Sequence, residues 1–449
     1  MFIVFNLFFG VFGLGVGGEY PLTAASAAAH HAESAEEAML DSEERHKVRM
    51  LREKARSARR GETIAMAFAM QGVGAVIGSI FLLCLLYLGN QEKIDCTVQG
   101  HRPSGYSNEA LSSVWRTFYF VGFIFVAMVL IYRGLILDEG NGHEKLLARK
   151  QRRLEKLGEM PSTWKILKFY LPRLIGTGGA WFVWDIAFYG LKLFSGPIFD
   201  QINPEGDLVT NNGYLLVNNL CALVGYYAAA YVIDKPSIGR KRLQLTSFII
   251  CAVLFFITGA IFNTASAQLL LFLYFMSSFF GQLGPNVTAY VMAAETYPTE
   301  LRATCHGISA FLGKAGALLA TISFSHLTSP QIFFVCGGAA IAGAFFTFFF
   351  SVDLTHVSLA EHDVQLELFL EGRLDEYKGK LNDKKHLSFF EILTGRHGEY
   401  NSEWANDLIK DELTMHNKLG DTEADTLHCK IVEEETSPAE VDVEGTHRQ

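Results

Sequence analysis

Nine apolar segments of about 20 residues or more constrain this chain more strongly than any other feature of its sequence. An α-helix needs about 20 apolar residues to cross the hydrocarbon core of a bilayer. So many Phe- and Gly-rich segments of this length are not typical of a soluble helical core. The sequence therefore predicts an all-α membrane protein. The predicted spans are 2–28, 63–89, 114–137, 166–195, 208–233, 243–262, 267–294, 303–326 and 331–352.

The composition agrees with this fold class and excludes several functions. Hydrophobic residues make up 50% of the 449 residues, and 36 residues are Phe. The net charge of −9 comes from charges that cluster between the spans and in the tail, and it gives no support for nucleic-acid binding. No nucleophile–base pair and no metal-ligand cluster lies in or beside the spans. The sequence therefore predicts no enzyme, no metal site and no cofactor.

Lys and Arg are distributed unevenly among the segments that connect the spans. Eight lie in 29–62, seven in 138–165 and four in 234–242, whereas 90–112 has two and 196–207 has none. Cytoplasmic loops of membrane proteins carry an excess of Lys and Arg. The three basic segments are therefore predicted to be cytoplasmic, which places the C-terminal tail in the cytoplasm and the first residue outside.

The same pattern divides the chain into four regions. Residues 1–137 hold three spans of an N-terminal helical bundle and a charged cytoplasmic insert, 29–62. Residues 138–165 form a cytoplasmic linker between bundles, and 166–352 form a C-terminal bundle of six helices. Residues 353–449 form a cytoplasmic tail. Its end, after about residue 420, is acidic and bears Pro, Ser, Thr and Glu, which predicts disorder.

Polar side chains inside the predicted spans are candidates for function, because ionisable groups are costly in a membrane. The stretch WFVWDIAFYG places Trp181, Asp185 and Tyr189 at intervals of four residues, on one face of a helix. Lys314 lies in another span, and an unpaired charge there is costly. A cavity with one ammonium and several neutral donors suits an oxyanion, and a carboxylate beside it is useful if it takes up a proton. The other candidates are Glu19, Tyr20, Gln71 and Asn286.

Three motifs carry a resemblance to a known family. GGEYPLTA, W-x-x-x-D-x-x-x-Y and AETYPTELRATCHGISAFLGKAGA resemble motifs of the phosphate:proton symporter family of the major facilitator superfamily, and the resemblance covers most of 1–352. It implies a plasma-membrane transporter that imports inorganic phosphate with protons by alternating access. Asp185 is the implied proton carrier. The implied phosphate ligands are Tyr20, Gln71, Trp181, Asp185, Tyr189, Asn286 and Lys314.

Other residues of these motifs are interpreted as gating or structural. Asp234, followed by Gly239 and Arg240, resembles the loop motif of the superfamily. Glu295 and Arg302 resemble the end motif of a tenth helix. The complete set is Glu19, Asp234, Gly239, Arg240, Glu295 and Arg302.

The family has twelve helices, and the resemblance starts at the fourth of them. We therefore expect the chain to lack three preceding helices, one of which carries another acidic residue for proton movement. Transport is expected of the intact protein, and the chain as written is expected to be a shortened, inactive form.

Two alternatives remain open at this point. Glu19 stands where the family more often has Asp, a change shared by relatives that carry glycerophosphodiesters, and a glycerophosphodiester or another organic anion also suits Lys314 and Asn286. A phosphate receptor or scaffold that does not transport is the second alternative, in which the tail does the work.

Overall fold

Helices form all the regular structure in the part of the chain that the structure describes. The computed structural model describes residues 42–89, 108–135, 151, 162–204 and 207–404. Two single turns of 3₁₀ helix, Leu374–Glu376 and Lys380–Asn382, lie between the last two helices. The helices are α1 Ser42–Gly89, α2 Asn108–Leu135, α3 Thr163–Leu193, α4 Ser195–Ile202, α5 Leu208–Val232, α6 Gly239–Ile261, α7 Ala267–Gly281, α8 Val287–Glu295, α9 Thr299–Phe324, α10 Ser329–Phe350, α11 Leu359–Glu371 and α12 Phe389–Leu393.

Seven of the predicted spans coincide with described helical segments that are long and apolar enough to cross a membrane. The predicted all-α membrane fold is therefore confirmed. The predicted span 166–195 is also a helix, α3, but it is not among the seven. The first predicted span, 2–28, lies outside the described residues. The seven segments are Ala58–Leu88, Glu109–Tyr132, Leu208–Val232, Gly239–Ile261, Ala267–Glu295, Thr299–Phe324 and Ser329–Phe350.

The ends of several helices follow from their capping residues. The Asp207 carboxylate accepts a hydrogen bond from the Thr210 N–H at 2.7 Å and begins α5. Thr328 and Gln331 form a capping box before α10. Such side chains satisfy backbone N–H groups that have no partner inside the helix. The insert 29–62 is helical from Ser42 onward, and the backbone of Arg59 departs from helical geometry before the apolar part of α1.

α3 occupies the centre of the described bundle. It packs against α9 and α10, while α10 also packs against α6, and α1 packs against α5. The largest hydrophobic cluster joins Trp184 of α3 to Phe248 of α6, Tyr274 of α7, Phe324 of α9 and Phe333 of α10. Polar side chains on the inner faces of α3 are thereby held against four other helices.

α7 and α8 form one membrane-crossing segment that is interrupted near its middle. Residues Gln282–Asn286 form a single π turn that contains Pro285. Proline has no backbone N–H and cannot continue the regular hydrogen-bond pattern, and π turns of this kind are frequent at functional sites. The interruption places Gln282 and Asn286 at the bundle interior, where both are buried.

The first part of the tail is folded and packs on one end of the bundle. Ser358 begins α11, and Asp363 of that helix accepts hydrogen bonds from the backbone N–H and the hydroxyl of Thr299, at 2.6 and 2.8 Å. Phe390 of α12 packs on Phe350 at the end of α10, with 5.4 Å between ring centroids. The predicted disorder after residue 420 lies outside the described residues, as does most of the linker 138–165.

Candidate substrate-binding site

An ion pair between α3 and α9 lies inside the bundle. The Lys314 ammonium donates to Asp185 Oδ2 at 3.1 Å and to the Tyr189 hydroxyl at 2.8 Å. The Asp185 side chain is 2% exposed, whereas that of Lys314 is 45% exposed. An uncompensated charge is strongly destabilising in such a place. The pair therefore neutralises a buried carboxylate while leaving the ammonium within reach of water.

Trp181 completes this first network. Its indole N–H donates to the Asp185 carboxylate, so that a neutral donor and a cation share one acceptor. Gly313, next to Lys314, makes the approach possible. A β-carbon at Gly313 would lie 2.6 Å from Trp181 Cδ1 and 3.0 Å from Asp185 Oδ2. We call Trp181, Asp185, Tyr189 and Lys314 the Asp185 network.

A second network lies around Asn286. Asn286 Nδ2 donates to the Tyr226 hydroxyl at 2.9 Å and to Gln282 Oε1 at 2.6 Å, and Trp184 Nε1 donates to Asn286 Oδ1 at 3.2 Å. The Tyr226 hydroxyl donates to Gln71 Oε1 at 3.3 Å. These five residues, which we call the Asn286 network, come from α1, α3, α5 and the π turn, and none of them carries a charge.

A cavity of about 60 Å³ borders the second network. Gln71, Trp184, Tyr226 and Gln282 line it. Since about 10–15 Å³ is enough for one water, it has room for several waters. Asp185 is not among its lining residues, but the adjacent Trp184 is.

The structure places six of the seven predicted phosphate ligands in these two networks. Trp181, Asp185, Tyr189 and Lys314 contact one another, and Gln71 and Asn286 share Tyr226 as a partner. Tyr20 lies outside the described residues, as does Glu19. That the seven bind phosphate stays a prediction.

Three of the residues interpreted as gating, Asp234, Arg240 and Glu295, meet near the tail. Together with Arg60, they form what we call the arginine cluster. Glu295 is fully buried and accepts from Arg60 Nε at 2.9 Å and from Arg240 Nε at 3.0 Å. Arg240 Nη1 also lies 2.7 Å from Asp234 Oδ1. Arg60 Nη2 donates to the Val357 carbonyl at 2.5 Å. The cluster joins α1 and α6 to the end of α8, and the tail closes over it.

Of the remaining three residues interpreted as gating, Glu19 lies outside the described residues, and Gly239 and Arg302 lie beside this cluster. Gly239 has φ +67°, and a β-carbon there would lie 2.6 Å from Asp353 Oδ2. Glycine adopts such a conformation at no steric cost. Arg302 is buried, and its Nη2 donates to the Thr299 hydroxyl at 3.4 Å, which Asp363 of the tail also contacts.

Comparison with known proteins shows which family the chain resembles. The profile described as "Sugar (and other) transporter" matches residues 188–366. The chain is 27% identical over 357 residues to low affinity inorganic phosphate transporter 4 of Lotus japonicus, covering 70% of this chain and 61% of that protein. It is 29% identical over 365 residues to inorganic phosphate transporter PHO84 of Saccharomyces cerevisiae, covering 71% and 57%. The chain is similar to transporters of the major facilitator superfamily.

The resemblance predicted from the motifs is therefore confirmed, and the proteins that the chain resembles are transporters and not enzymes. A third relative is glycerophosphoinositol permease 1 of Candida albicans, 26% identical over 398 residues, with 86% of this chain and 66% of that protein covered. The chain spans about three fifths of the length of the first two relatives. The seven apolar helices and these relatives together show a multi-pass membrane protein.

Several residues that complete the two networks are not marked by the sequence alone. Tyr226 and Trp184 are aromatic residues in apolar spans, where such residues are common, so nothing marked them. Gln282 lies four residues before Asn286, an interval that predicts one helical face, and this signal was available. Arg60 lies in a segment with many charges and carried no signal of its own.

Proposed function

We propose that this protein carries inorganic phosphate together with protons across the plasma membrane by alternating access. The observation that carries the proposal is the contact between Asp185 and Lys314, because it couples a titratable acid to the cation that an anion needs. As long as Asp185 is ionised, its carboxylate pairs with the Lys314 ammonium, and the distance from Oδ2 to Nζ is 3.1 Å. Phosphate and the carboxylate then compete for one cation.

Protonation of Asp185 releases this competition. A neutral carboxyl group no longer pairs with Lys314, so the ammonium becomes free for phosphate, and hydrogen bonds between charged groups are the strong ones. Loss of the proton restores the ion pair and expels the anion. Proton and phosphate therefore enter together and leave together, and the site needs no charge other than these two.

The neutral donors of the Asn286 network support the same substrate class. The amides and hydroxyls of Gln71, Tyr226 and Asn286 offer hydrogen bonds to oxyanion oxygens, and the indole of Trp181 beside Asp185 adds another donor. Two curated relatives are named as inorganic phosphate transporters. The name of the Candida relative favours a second candidate, a glycerophosphodiester, since the phosphate group would meet the same donors.

Alternating access requires that one end of the bundle opens while the other closes. In this proposal the arginine cluster keeps one end closed, since it ties α1, from region 1–137, to α6 and α8, from 166–352. The basic segments predict that this end and the tail face the cytoplasm. Opening to the cytoplasm then requires Glu295 to separate from Arg60.

Uptake into liposomes that contain the purified intact protein, of which transport is expected, tests the proposal. With an acidic exterior, we expect accumulation of labelled phosphate against its gradient by the unaltered protein. Asp185→Asn should abolish this accumulation while it keeps phosphate binding, because Asn cannot ionise. Lys314→Gln should lose both. Competition by glycerophosphocholine separates the two candidate substrates.

The matched control is Lys168→Gln, which removes an exposed lysine of the same helix. It should transport as the unaltered protein does. Robust uphill uptake by Asp185→Asn would contradict the role of Asp185. An unaltered protein that neither binds phosphate or a phosphodiester nor moves it would refute the function as a whole.

A further inference from the structure

The cavity beside the Asn286 network is lined by one positive charge and by neutral polar residues. It lies between α1, α3, α5 and α7, and its lining includes polar residues from all four helices but neither Asp nor Glu. Among the described residues that line it, the only ionisable group other than tyrosine hydroxyls is the ammonium of one lysine. The polar lining comprises Lys192, Gln71, Asn218, Ser277, Ser278 and Gln282, among others. A cation among neutral hydrogen-bonding groups is the composition of a site for an anion.

Lys192 is the cation of this cavity. It lies near the end of α3 and is reached by solvent, and its ammonium lies 5.4 Å from the centroid of the Phe188 ring. Among the residues that the structure describes, no carboxylate lies within 4.0 Å of it. Lys314 differs in this respect, since Asp185 neutralises it. The charge of Lys192 is therefore available to a ligand.

Asn218 supplies an unused polar group at the same cavity. Its side-chain oxygen is shielded from solvent and accepts no hydrogen bond within the described residues. The two ends of an amide exchange by rotation, so the group offers either a donor or an acceptor to the cavity. A buried polar atom without a partner is costly, and an anion with its waters would remove that cost.

Lys192 and the Asp185 network are close in space. Lys192 follows Tyr189 by three residues on α3, one helical turn further along. Tyr189 in turn contacts the Lys314 ammonium at 2.8 Å, so Lys192 lies one turn of α3 from a residue that contacts the second cation, and the two positive charges repel one another. An anion between or beside them lowers this repulsion.

We propose that Lys192 and the cavity around it form a second subsite for a tetrahedral oxyanion, one turn of α3 away from the site at Lys314. The ligand is a phosphate group, either free or at the end of a phosphate ester. This inference rests on the proposed function and adds to it a second cation that the substrate meets. Phosphate reaches Lys192 in the cavity and then Lys314, where the proton on Asp185 decides its release.

Binding of labelled inorganic phosphate to the purified protein tests the subsite. Lys192→Gln removes the charge and shortens the side chain by one atom, and we expect the apparent affinity to fall about tenfold, as for a lost charged hydrogen bond. Lys192→Arg should restore most of the affinity, because the charge returns. Lys168→Gln should leave it unchanged. Equal affinity in Lys192→Gln and the unaltered protein would overturn the subsite.

The design separates this inference from the proposed function. If the unaltered protein binds phosphate and Lys314→Gln does not, but Lys192→Gln binds normally, then only the subsite fails and Lys192 merely extends toward water. If neither the unaltered protein nor any variant binds phosphate, the proposed function itself is refuted. Parallel competition by glycerol 3-phosphate and by inorganic phosphate distinguishes an ester from the free anion, since the preferred ligand of the subsite loses more affinity in Lys192→Gln than the other one does.

A structural measurement on the unaltered protein is independent of any variant. Arsenate has the shape and charge of phosphate, and its anomalous scattering locates it in crystals. We expect an arsenic peak within hydrogen-bond distance of the Lys192 ammonium, separate from or continuous with one at Lys314. A peak at Lys314 alone, at saturating arsenate, would overturn the proposal.

Discussion

Arg173 of α3 and Glu391 of α12 form a buried ion pair across 218 residues of sequence. Arg173 Nε lies 2.8 Å from Glu391 Oε1, and the two side chains are 3% and 0% exposed. Ser388 caps α12 and also donates to Glu391. Arg396 adds a hydrogen bond to the Phe169 carbonyl at 2.9 Å. These contacts fasten the tail to the central helix of the bundle.

Glu391→Gln should weaken the docking of the tail, because it leaves the Arg173 charge buried without its partner. Loss of one member of a buried pair costs on the order of 3–5 kcal/mol. Hydrogen exchange of residues 374–404 should therefore accelerate strongly. The control is Glu399→Gln, whose partner Lys378 is exposed, and which should have little effect. The same protection in both variants would contradict a fastening role.

Glu391 should make the docking of the tail weaker at acidic pH. Burial acts to raise the pKa of this carboxyl group, but Arg173 and the Ser388 N–H outweigh it, so the pKa lies below its ordinary value. The contribution of Glu391 is thus present above the ordinary value, about 4.3, and is lost as the pH falls through the lowered pKa. Near neutral pH the contribution of Glu391 to the docking of the tail should not vary with pH.

Glu361 of α11 should act in the opposite direction. Burial raises its pKa, despite hydrogen bonds from the Tyr377 hydroxyl and the Lys380 N–H. Its contribution is present below the ordinary carboxyl value and is lost as the pH rises through the raised pKa. Glu361→Gln stays neutral and should flatten this decline in the protection of α11 from exchange. The exposed Glu367→Gln on the same helix should retain the slope, and an unchanged slope in Glu361→Gln would exclude Glu361 as its source.

Glu295→Gln should destabilise the arginine cluster. Two buried guanidiniums, of Arg60 and Arg240, share this one carboxylate, and its removal costs on the order of 3–5 kcal/mol. The fall in the thermal unfolding temperature of the purified protein measures this loss of stability. Glu62→Gln breaks a pair with the exposed Arg59, worth about 0–1 kcal/mol. Equally small shifts in both variants would show that the cluster contributes nothing special.

Gly313→Ala should lower the affinity for phosphate several-fold. The added methyl group would lie 2.6 Å from Trp181 Cδ1 and 3.0 Å from Asp185 Oδ2, so the indole has to move away from the carboxylate. Overpacking of this kind costs about 1–3 kcal/mol. Gly338→Ala on α10 meets no atom within 4 Å and should bind phosphate normally. Normal binding by both would mean that Trp181 does not need its observed position.

Tyr226→Phe should weaken phosphate binding about 3- to 10-fold, because one neutral hydrogen bond contributes about 0.5–1.5 kcal/mol. The lost hydroxyl connects Asn286 to Gln71. Equilibrium binding to the purified protein measures the change. Tyr227→Phe alters the neighbouring, partly exposed tyrosine and should leave binding intact. If the two variants behave alike, the hydroxyl of Tyr226 takes no part in the site.

The sequence predicted the helical membrane fold because the length of an apolar segment is a local property. It also predicted that Asp185 and Lys314 matter, since a charge inside a span is costly wherever it lies. That these two residues contact each other, and that Asn286 instead contacts Tyr226, depends on how the helices pack. The length and composition of the spans do not contain this information.

The tail shows the same limit. Glu391 and Arg173 are ordinary charged residues in sequence, and both became important only because packing buried them together. Arg60 lies in a segment with eight Lys and Arg between 29 and 62, where solvation is the usual state of a basic side chain. Neither charge nor spacing distinguishes Arg60, which contacts Glu295, from the other basic residues of this segment.

The π turn at Pro285 gives α8 a lever arm. The helix has nine residues, which makes it about 13 Å long, and its far end carries Glu295. Because the backbone ladder is already interrupted at Pro285, a bend there breaks few hydrogen bonds. A tilt of about 20° would swing that end by roughly 4–5 Å, which exceeds the 2.9 Å that joins Glu295 to Arg60. A small rotation beside Asn286 is thus magnified into separation of charges at the opposite tip of the helix.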